Sequence, residues 1–359
     1  IIANDVQGEK NLYYYNDDNF FIVSSTPKSI LKFIGRTNLN INVLKSYFTT
    51  RHYMPLNQTC FSNINLFKNG ILINCDLKKN TFKEKIYDDP SNWISYEKYN
   101  FLNKLKKHEL FEFFEEKLSD QAKLMIPERN FGSIVSGGID SSLQTAIISK
   151  FSKPKINLVI NHRRKDRIIS ENLNKFEKYL NNKISIYDTN EKTYYNNAMK
   201  AYEIISSPMQ THDLPSRIQL SKEFKKNNCK VFFSADGCDE LFGGQQIYKK
   251  SFNSKNFDFK INNSPYTKLC SPEIKLESFN NKSKKFILDK QWSKIFNRYE
   301  FLNKKERNIQ TSLYLDYFIQ SINVANRSND LICCNFSIEP RNIFIQKNIL
   351  KLIINLPLK

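Results

Sequence analysis

The residues best suited to chemistry lie in a short stretch, SGGIDSS at positions 136–142, which follows an apolar run. Gly137 and Gly138 allow a sharp turn with no side chains in the way, so successive N–H groups can converge on phosphate oxygens. A helical pattern from Ser142 onward would add the partial positive charge of a helix N-terminus. Asp140 would repel a phosphate directly, so its expected role is to hold a Mg²⁺ that bridges carboxylate and phosphate.

This stretch differs from both common phosphate-binding loops. It lacks the Gly-Lys-Ser/Thr ending of the P-loop and does not fit G-x-G-x-x-G. Without a P-loop lysine there is less reason to act on a terminal phosphate, and the loop suits pyrophosphate, with bond breaking at the α-phosphate. Taken alone, the stretch fits a structural strand-to-helix turn equally well, with Ser141 or Ser142 as the helix cap.

A second stretch, SADGCDELFGG at positions 234–244, also follows an apolar strand pattern. It places Asp236, Asp239 and Glu240 within five positions. Such crowding of carboxylates is unfavourable unless a cation or protons relieve the repulsion. We therefore predict that Asp140 and Asp239 bind one Mg²⁺, which leaves Asp236 free as a base. The alternative is a solvated acidic turn, and the position of both stretches at strand ends disfavours it.

The elements around these stretches predict an α/β fold. Strand patterns at 133–135, 156–160, 184–187 and 230–233 alternate with helical patterns from 142, at 171–180 and at 216–224. Parallel neighbouring strands need a crossover between them, so this order predicts a doubly wound parallel sheet. Ligands bind beyond the carboxyl ends of the strands in such sheets, which is where both stretches lie. An amphipathic helix between Leu105 and Leu124 leads into this region.

The N-terminal residues predict a different, β-rich region. NLYYY and NFFIVSS indicate one hairpin, and INLF and GILINCD a second around Asn69-Gly70, with a short helical segment at 42–47. Two hairpins and one helix would leave long unpaired strand edges, so further strands are expected upstream of Ile1. The predicted domains are residues 1–90, a partial β-rich domain, and residues 91–359.

Composition narrows the class of protein further. No apolar run reaches the roughly 18 residues of a membrane-spanning helix, which predicts a soluble chain without a membrane partner. Seven cysteines without a C-x-x-C pair suit reduced thiols and a cytoplasmic location. The net charge of +19 is spread over scattered lysines, which favours a solvated basic surface over a nucleic-acid partner.

These motifs resemble those of a known family. SGGIDSS is similar to the pyrophosphatase loop of the ATP-pyrophosphatase superfamily, and SADGCDELFGG resembles the second signature of glutamine-dependent asparagine synthetases. NDVQGEKNLYYYNDDNFFIVSSTPKSIL resembles the late part of that family's glutaminase domain, and RSNDLICCNFSIEPRNIF resembles its segment ending in E-x-R-x-P-F. The matching positions in these two segments are Asp5, Gly8, Leu12, Tyr13, Ser24, Ser25, Lys28, Asp330, Glu339, Arg341 and Phe344.

The resemblance implies a two-step reaction. ATP and Mg²⁺ activate the carboxylate of aspartate as an acyl-adenylate, and ammonia from glutamine then gives asparagine, AMP and pyrophosphate. Asp236 is implied as the catalytic base, Asp140 and Asp239 as metal ligands, and Glu339 and Arg341 as substrate residues. The implied ATP-binding residues are Val135, Ser136, Gly137, Gly138, Asp140, Ser141, Ser234, Ala235 and Gly237. The resemblance further implies a glutaminase nucleophile upstream of Ile1 and a catalytic lysine downstream of Lys359, and it allows a homodimer.

The sequence also departs from the family pattern. Ala235 replaces a Gly, Ile343 a Pro, Gln346 an Asp, Asn4 an Arg and Asn11 a Pro. If position 235 needed a positive φ, Ala235 would be strained. The departures keep open another carboxylate acceptor, such as a sugar acid, a β-lactam precursor or a lasso peptide. A degenerate relative without turnover is a further alternative, against which the three intact aspartates argue. A tRNA-modifying enzyme would explain the charge but not the second signature.

Overall fold

The structure is a computed structural model that describes residues 1–49, 57–76, 78–79, 81–161, 167–208, 211–244, 248 and 281–358. Lys359, next to the predicted position of the catalytic lysine, lies outside the described residues. The chain forms two compact units. The first unit comprises residues 1–104, 237–327 and 350–359, and the second comprises residues 105–236 and 328–349. The predicted domain boundary at residue 90 stays a prediction.

The elements are numbered in chain order through both units. The described strands are β1 (Ile2–Ala3), β2 (Tyr13–Asn16), β3 (Phe21–Ser24), β4 (Ile64–Leu66), β5 (Ile71–Asp76), β6 (Thr81–Ile86), β7 (Phe131–Ile134), β8 (Ile156–Asn161), β9 (Ile184–Asp188), β10 (Val231–Phe233) and β11 (Glu339–Arg341). The described helices are α1 (Pro27–Ile34), α2 (Ile41–Thr49), α3 (Tyr96–Lys104), α4 (Lys107–Met125), α5 (Ile139–Ser149), α6 (Arg167–Leu180), α7 (Glu191–Ile205), α8 (Leu214–Lys226), α9 (Cys238–Phe242), α10 (Asn281–Arg298), α11 (Lys304–Leu315), α12 (Arg327–Asn335) and α13 (Lys347–Ile353). A 3₁₀ turn at Pro90–Trp93 and a π-helix at Asp316–Asn326 complete them.

The second unit is built on a five-stranded sheet in the order β11-β10-β7-β8-β9, with every neighbouring pair parallel. The chain starts this sheet at its centre with β7, moves outward to β8 and β9, and then returns to β10 on the other side of β7. The direction of winding therefore reverses between β7 and β10, which makes this the topological switch point. The predicted doubly wound α/β fold is confirmed.

Most predicted elements of this unit are present, with shifted ends. β7 begins at Phe131, two residues before the predicted strand, where it pairs with β10. Gly132 leaves room for the ring of Phe224 to pack directly on the backbone. α5 begins at Ile139, so the predicted start at Ser142 is wrong. α7 and β11 were not predicted. Stacked Phe224 and Phe232, with ring centroids 4.6 Å apart, join α8 to the sheet.

The first unit contains two three-stranded sheets, in the orders β3-β2-β4 and β1-β5-β6. The predicted hairpin of β2 and β3 is confirmed, and α2 covers the predicted helical segment. The predicted hairpin around Gly70 is wrong, because β4 pairs with β2 whereas β5 pairs with β1 and β6. Gly70 has the expected positive φ of 72°, but its carbonyl accepts from the N–H groups of Tyr87 and Asp88. The turn thus carries the chain from one sheet into the other.

None of the helices in the described part of the chain combines the length and the apolar character needed to cross a bilayer.

Candidate functional site

Hydrogen bonds to two serine side chains stabilise the turn after β7. The Ser136 N–H donates to Ser141 Oγ at 3.1 Å, and the two hydroxyl oxygens lie 3.0 Å apart. The Gly138 N–H donates to Ser136 Oγ at 3.3 Å. Gly137 between them has a φ of +82°, a conformation that costs other residues roughly 1–2 kcal/mol. The two serines therefore stabilise the glycine turn. The alternative interpretation of this stretch had Ser141 or Ser142 as the helix cap, and neither residue is the cap.

Helix α5 starts directly from this turn, with Gly138 as its N-cap. The N–H groups of its first turn lack acceptors within the helix, as at any helix start. Ser136, Gly138 and Ile139 are exposed, and Asp140 lies in the same first turn, half-buried. An exposed helix start with a carboxylate beside it can accept an anion that arrives together with a cation.

A buried hydroxyl chain connects this helix start to the sheet. Thr145 Oγ1 donates to the Ser141 carbonyl at 2.8 Å and lies 2.6 Å from Ser133 Oγ on β7. Ser133 and Thr145 are fully buried. Because each polar atom in this chain has a partner, the first turn of α5 is fixed relative to the end of β7.

The segment after β10 carries a different arrangement, centred on Asp236. The Arg217 Nη2 atom on α8 donates to both carboxylate oxygens, at 3.0 Å to Oδ1 and 2.8 Å to Oδ2. The Ser234 hydroxyl donates to Oδ2 at 2.7 Å, and Asn329 Nδ2 on α12 donates to it at 3.3 Å. Asn342, just after β11, donates from Nδ2 to the Asp236 carbonyl at 2.7 Å. Three separate elements thus converge on this residue.

Arg217 is a buried cation. Burial by itself lowers the pKa of Arg217, but the charges of Asp236, Cys333 and Asp213 more than offset it and leave the pKa raised. Its guanidinium carbon lies 5.8 Å from the ring centre of Phe232. The Arg217 side chain is 6% exposed and that of Asp236 is 33% exposed, so the pair has one buried and one accessible end. The sequence predicted that Asp236 does not bind the metal. In the structure its carboxylate is paired with Arg217.

Position 235 does not require the conformational freedom of the glycine that the family pattern has there. Ala235 is not among the described non-glycine residues with positive φ. The left-handed conformation belongs to Gly237, two residues further along the chain, with a φ of +91°. In the first unit, a Cβ on Gly237 would lie 3.0 Å from the Tyr317 ring. The strain expected for Ala235 is therefore absent.

The predicted metal ligands lie in different units. Asp140 is in the second unit, and Asp239 is an exposed residue in the first turn of α9 in the first unit. Their sharing of one Mg²⁺ stays a prediction. Across the described ranges, no cluster of three or more His, Cys, Asp or Glu side chains is arranged to hold a metal ion. A Mg²⁺ bound with a nucleotide needs only one or two protein carboxylates, so a single carboxylate such as Asp140 fits that requirement.

The predicted substrate residues Glu339 and Arg341 contact each other. Arg341 Nε lies 2.9 Å from Glu339 Oε1, and the Arg341 guanidinium also donates to the Met125 carbonyl. Both residues are on the edge strand β11, where Glu339 is in register with Val231 and Arg341 with Phe233. Their role toward a substrate stays a prediction.

Sequence analysis missed Arg217, Asn329 and Asn342. The signal for Arg217 was its position within LPSRIQL, between residues that α8 buries. A charged residue on a buried helix face needs a counter-ion, and Asp236 is that counter-ion. No comparable signal marks the two asparagines, because their contacts with Asp236 span 93 and 106 residues of sequence.

The parallel sheet carries glycine- and aspartate-bearing segments on both sides of its switch point, the position at which open α/β sheets generally bind ligands. The protein-family model for asparagine synthase matches residues 113–359, more than half of the chain. The chain therefore belongs to the asparagine synthase family. A model for the glutamine amidotransferase domain matches residues 1–87.

Two curated relatives come from Methanocaldococcus jannaschii and are provisionally described as glutamine-hydrolysing asparagine synthetases. Synthetase 2 is 26% identical over 269 residues, which cover 72% of this chain and 48% of that protein. Synthetase 1 is 24% identical over 266 residues, which cover 71% of this chain and 43% of that protein. The matched region thus spans about half the length of these relatives.

Proposed function

We propose that this chain carries the synthetase site of an ATP-dependent, amide-forming enzyme that converts aspartate to asparagine. The observation that carries the proposal is the adjacency of β7 and β10, whose ends bear the SGGIDSS turn and Asp236. One ligand can therefore meet an anion-binding helix start and a held carboxylate at the same edge of the sheet. Membership of the asparagine synthase family supports the reaction class.

In the first step, a carboxylate oxygen of the substrate attacks the α-phosphorus of ATP, and the bond to pyrophosphate breaks. The exposed turn at Ser136 and Gly138 and the first N–H groups of α5 would stabilise the charge on the leaving pyrophosphate. Asp140, in the first turn of α5, would hold a Mg²⁺ that supplies further positive charge at the phosphates. No lysine is needed within this turn.

In the second step, ammonia attacks the acyl carbon and the bond from that carbon to AMP breaks. The nitrogen must lose a proton for the neutral amide to form. We propose that Asp236 accepts it, which is supported by a carboxylate that is one-third exposed and is held by Arg217, Ser234 and Asn329. A positioned base of this kind contributes about 10²- to 10⁴-fold in rate.

We propose glutamine as the nitrogen source of the whole protein, since residues 1–87 match a glutamine amidotransferase domain. Glutamine and the carboxylate substrate are small molecules, and the proposal requires no nucleic-acid partner.

A second candidate is the same chemistry on another carboxylate. Arg341, implied as a substrate residue, is already engaged by Glu339 and by the Met125 carbonyl. An acceptor carboxylate would have to compete with Glu339 for this guanidinium. A sugar acid, a β-lactam precursor or a peptide carboxylate therefore belongs in the same assay as aspartate.

The test is pyrophosphate release by the full-length protein with ATP, Mg²⁺, ammonia and each carboxylate in turn. Supplying ammonia makes the assay independent of glutamine hydrolysis. Release that requires aspartate, with one asparagine per pyrophosphate, is the expected result. Release with a different carboxylate alone would move the function to the second candidate. If no carboxylate gave pyrophosphate release, in protein that still unfolds cooperatively, both candidate functions would be overturned.

A further inference from the structure

We infer that Arg217 is a positioning residue that gives the two oxygens of Asp236 different tasks. Oδ2 is the anchored oxygen, and Oδ1 is the oxygen presented to the attacking amine. The inference rests on the proposed function, because it assigns a role within the amide-forming step.

The hydrogen bonds to the carboxylate are unequally divided. Oδ2 accepts from Arg217 at 2.8 Å, from Ser234 at 2.7 Å and from Asn329 at 3.3 Å. Among the described residues, Oδ1 accepts from Arg217 alone, at 3.0 Å. A carboxylate offers about four lone-pair sites, two on each oxygen, so Oδ2 is filled and Oδ1 keeps one site. That site is the one available to an N–H of the reacting nitrogen.

Arg217 is suited to fixing this division because it cannot move easily. It extends from α8, it is 6% exposed, and its guanidinium lies against the Phe232 ring. A single nitrogen reaches both oxygens, so Arg217 opposes rotation of the carboxylate about its Cβ–Cγ bond. Ser234 and Asn329 approach Oδ2 only, which sets which of the two oxygens remains open.

The same contact limits how long Asp236 keeps a proton. When Oδ1 takes a proton from the attacking nitrogen, the carboxyl group becomes neutral and the buried Arg217 loses the counter-ion to which it is hydrogen-bonded. Breaking a buried ion pair is unfavourable, so the proton is released to solvent once the amide has formed. The proton that left the nitrogen thus ends in water, and Asp236 returns to its paired, ionised state.

The experiment measures two rates in full-length protein supplied with ATP, Mg²⁺, aspartate and ammonia. The first is pyrophosphate formation in a single turnover, and the second is amide formation. For Arg217→Met, we expect amide formation about 100-fold slower and pyrophosphate formation within about threefold of wild type. Arg217→Lys keeps the charge but ends in a compact ammonium on a flexible stem, so an intermediate amide-forming rate is expected.

A double-mutant cycle separates positioning from general damage. If Arg217 acts only through Asp236, then Arg217→Met combined with Asp236→Asn is no slower in amide formation than Asp236→Asn alone. Arg327→Met is the matched control. Arg327 is also buried, but in the first unit, where its Nε donates to the Tyr13 hydroxyl at 2.9 Å. We expect this control to leave the ratio of amide to pyrophosphate unchanged.

The outcomes distinguish a failure of the proposed function from a failure of the role inferred for Arg217. An inactive wild-type protein overturns the proposed function and this inference with it. An active wild type with unchanged Arg217→Met overturns this inference alone, as does a double variant slowed by the product of the two single effects. If Arg217→Met does not fold, Asn329→Ala and Ser234→Ala carry the test, because each removes one of the three donors that hold Oδ2. An amide-forming rate unchanged in both would contradict the division of the oxygens.

Discussion

The turn after β7 and the segment after β10 lie at the ends of neighbouring strands, yet their polar groups have opposite surroundings. In the first, Ser136 and Gly138 are exposed, and the N–H groups of the first turn of α5 lack acceptors within the helix. In the second, Asp236 has three side-chain donors, one of them the buried Arg217. The N–H groups at the helix start would gain acceptors when a ligand binds. The carboxylate of Asp236 is already held by hydrogen bonds without a ligand. Binding and proton transfer are thereby divided between two strand ends.

The largest effect is expected from Asp236→Asn, which removes the proton acceptor but keeps the shape. We expect amide formation to fall by about 10²-fold or more, with nucleotide affinity little changed. The measurement is the amide-forming rate at saturating ATP, with a nucleotide titration beside it. Asp120→Asn is the control, because Asp120 is exposed and its ion pair with Lys123 lies on the surface. Full turnover by the Asp236 variant would show that another group takes the proton.

The next effect concerns the first turn of α5. Asp140→Asn removes the proposed metal ligand, and we expect Mg²⁺-dependent nucleotide affinity to fall by about tenfold or more, or about 1.4 kcal/mol. The measurement is nucleotide binding by calorimetry, with and without Mg²⁺. Nucleotide binding that keeps its wild-type dependence on Mg²⁺ in this variant would remove Asp140 from the metal site.

The two glycines of the turn provide a matched pair. Gly137 has a positive φ, whereas Gly138 has a φ of −83°. Gly137→Ala should therefore lower the free energy of unfolding by about 1–2 kcal/mol. Gly138→Ala should change it by about 0.5 kcal/mol or less, because its Cβ would lie an ordinary 3.4 Å from Ser136 Oγ. Denaturant unfolding of both variants is the measurement, and equal losses would contradict the geometry of the turn.

A smaller effect than that of Gly137→Ala is expected from Ala235→Gly, which restores the residue that the family pattern has. Because Ala235 does not have a positive φ, glycine brings no relief of strain. It adds freedom to the unfolded chain, and we expect a loss of about 0.4–1 kcal/mol in the free energy of unfolding. Thermal unfolding checks this, and a stabilised variant would show that the alanine is strained after all.

The sequence predicted the parallel sheet and both strand-end segments because these depend on local patterns. Apolar runs, glycines and acids mark β7 and β10 within a few residues of their true ends. It mispredicted the pairing at Gly70, because a positive φ permits a turn without deciding which strand the chain meets next. It missed the partners of Asp236 because those contacts join residues far apart in the chain.

The structure explains two departures from the family pattern by the hydrogen bonds that the replacing residues make. Where the family has a proline, Ile343 has an N–H, and this N–H donates at 3.0 Å to Oε1 of the buried Gln144 on α5. A proline there would leave Gln144 Oε1 without this donor. In the first unit, the buried Asn4 side chain donates to Asn69 Oδ1 at 3.1 Å. Both replacements are therefore satisfied within their own surroundings.

The central claim is that the strand-end site activates a carboxylate at the α-phosphorus of ATP. The most direct measurement uses aspartate labelled with ¹⁸O in its side-chain carboxylate, together with ATP, Mg²⁺, ammonia and the full-length protein. The attacking oxygen stays on phosphorus when ammonia displaces AMP, so the account predicts one ¹⁸O in each AMP formed. Label in inorganic phosphate with ADP as the product would contradict it, because the bond would then have broken at the terminal phosphate.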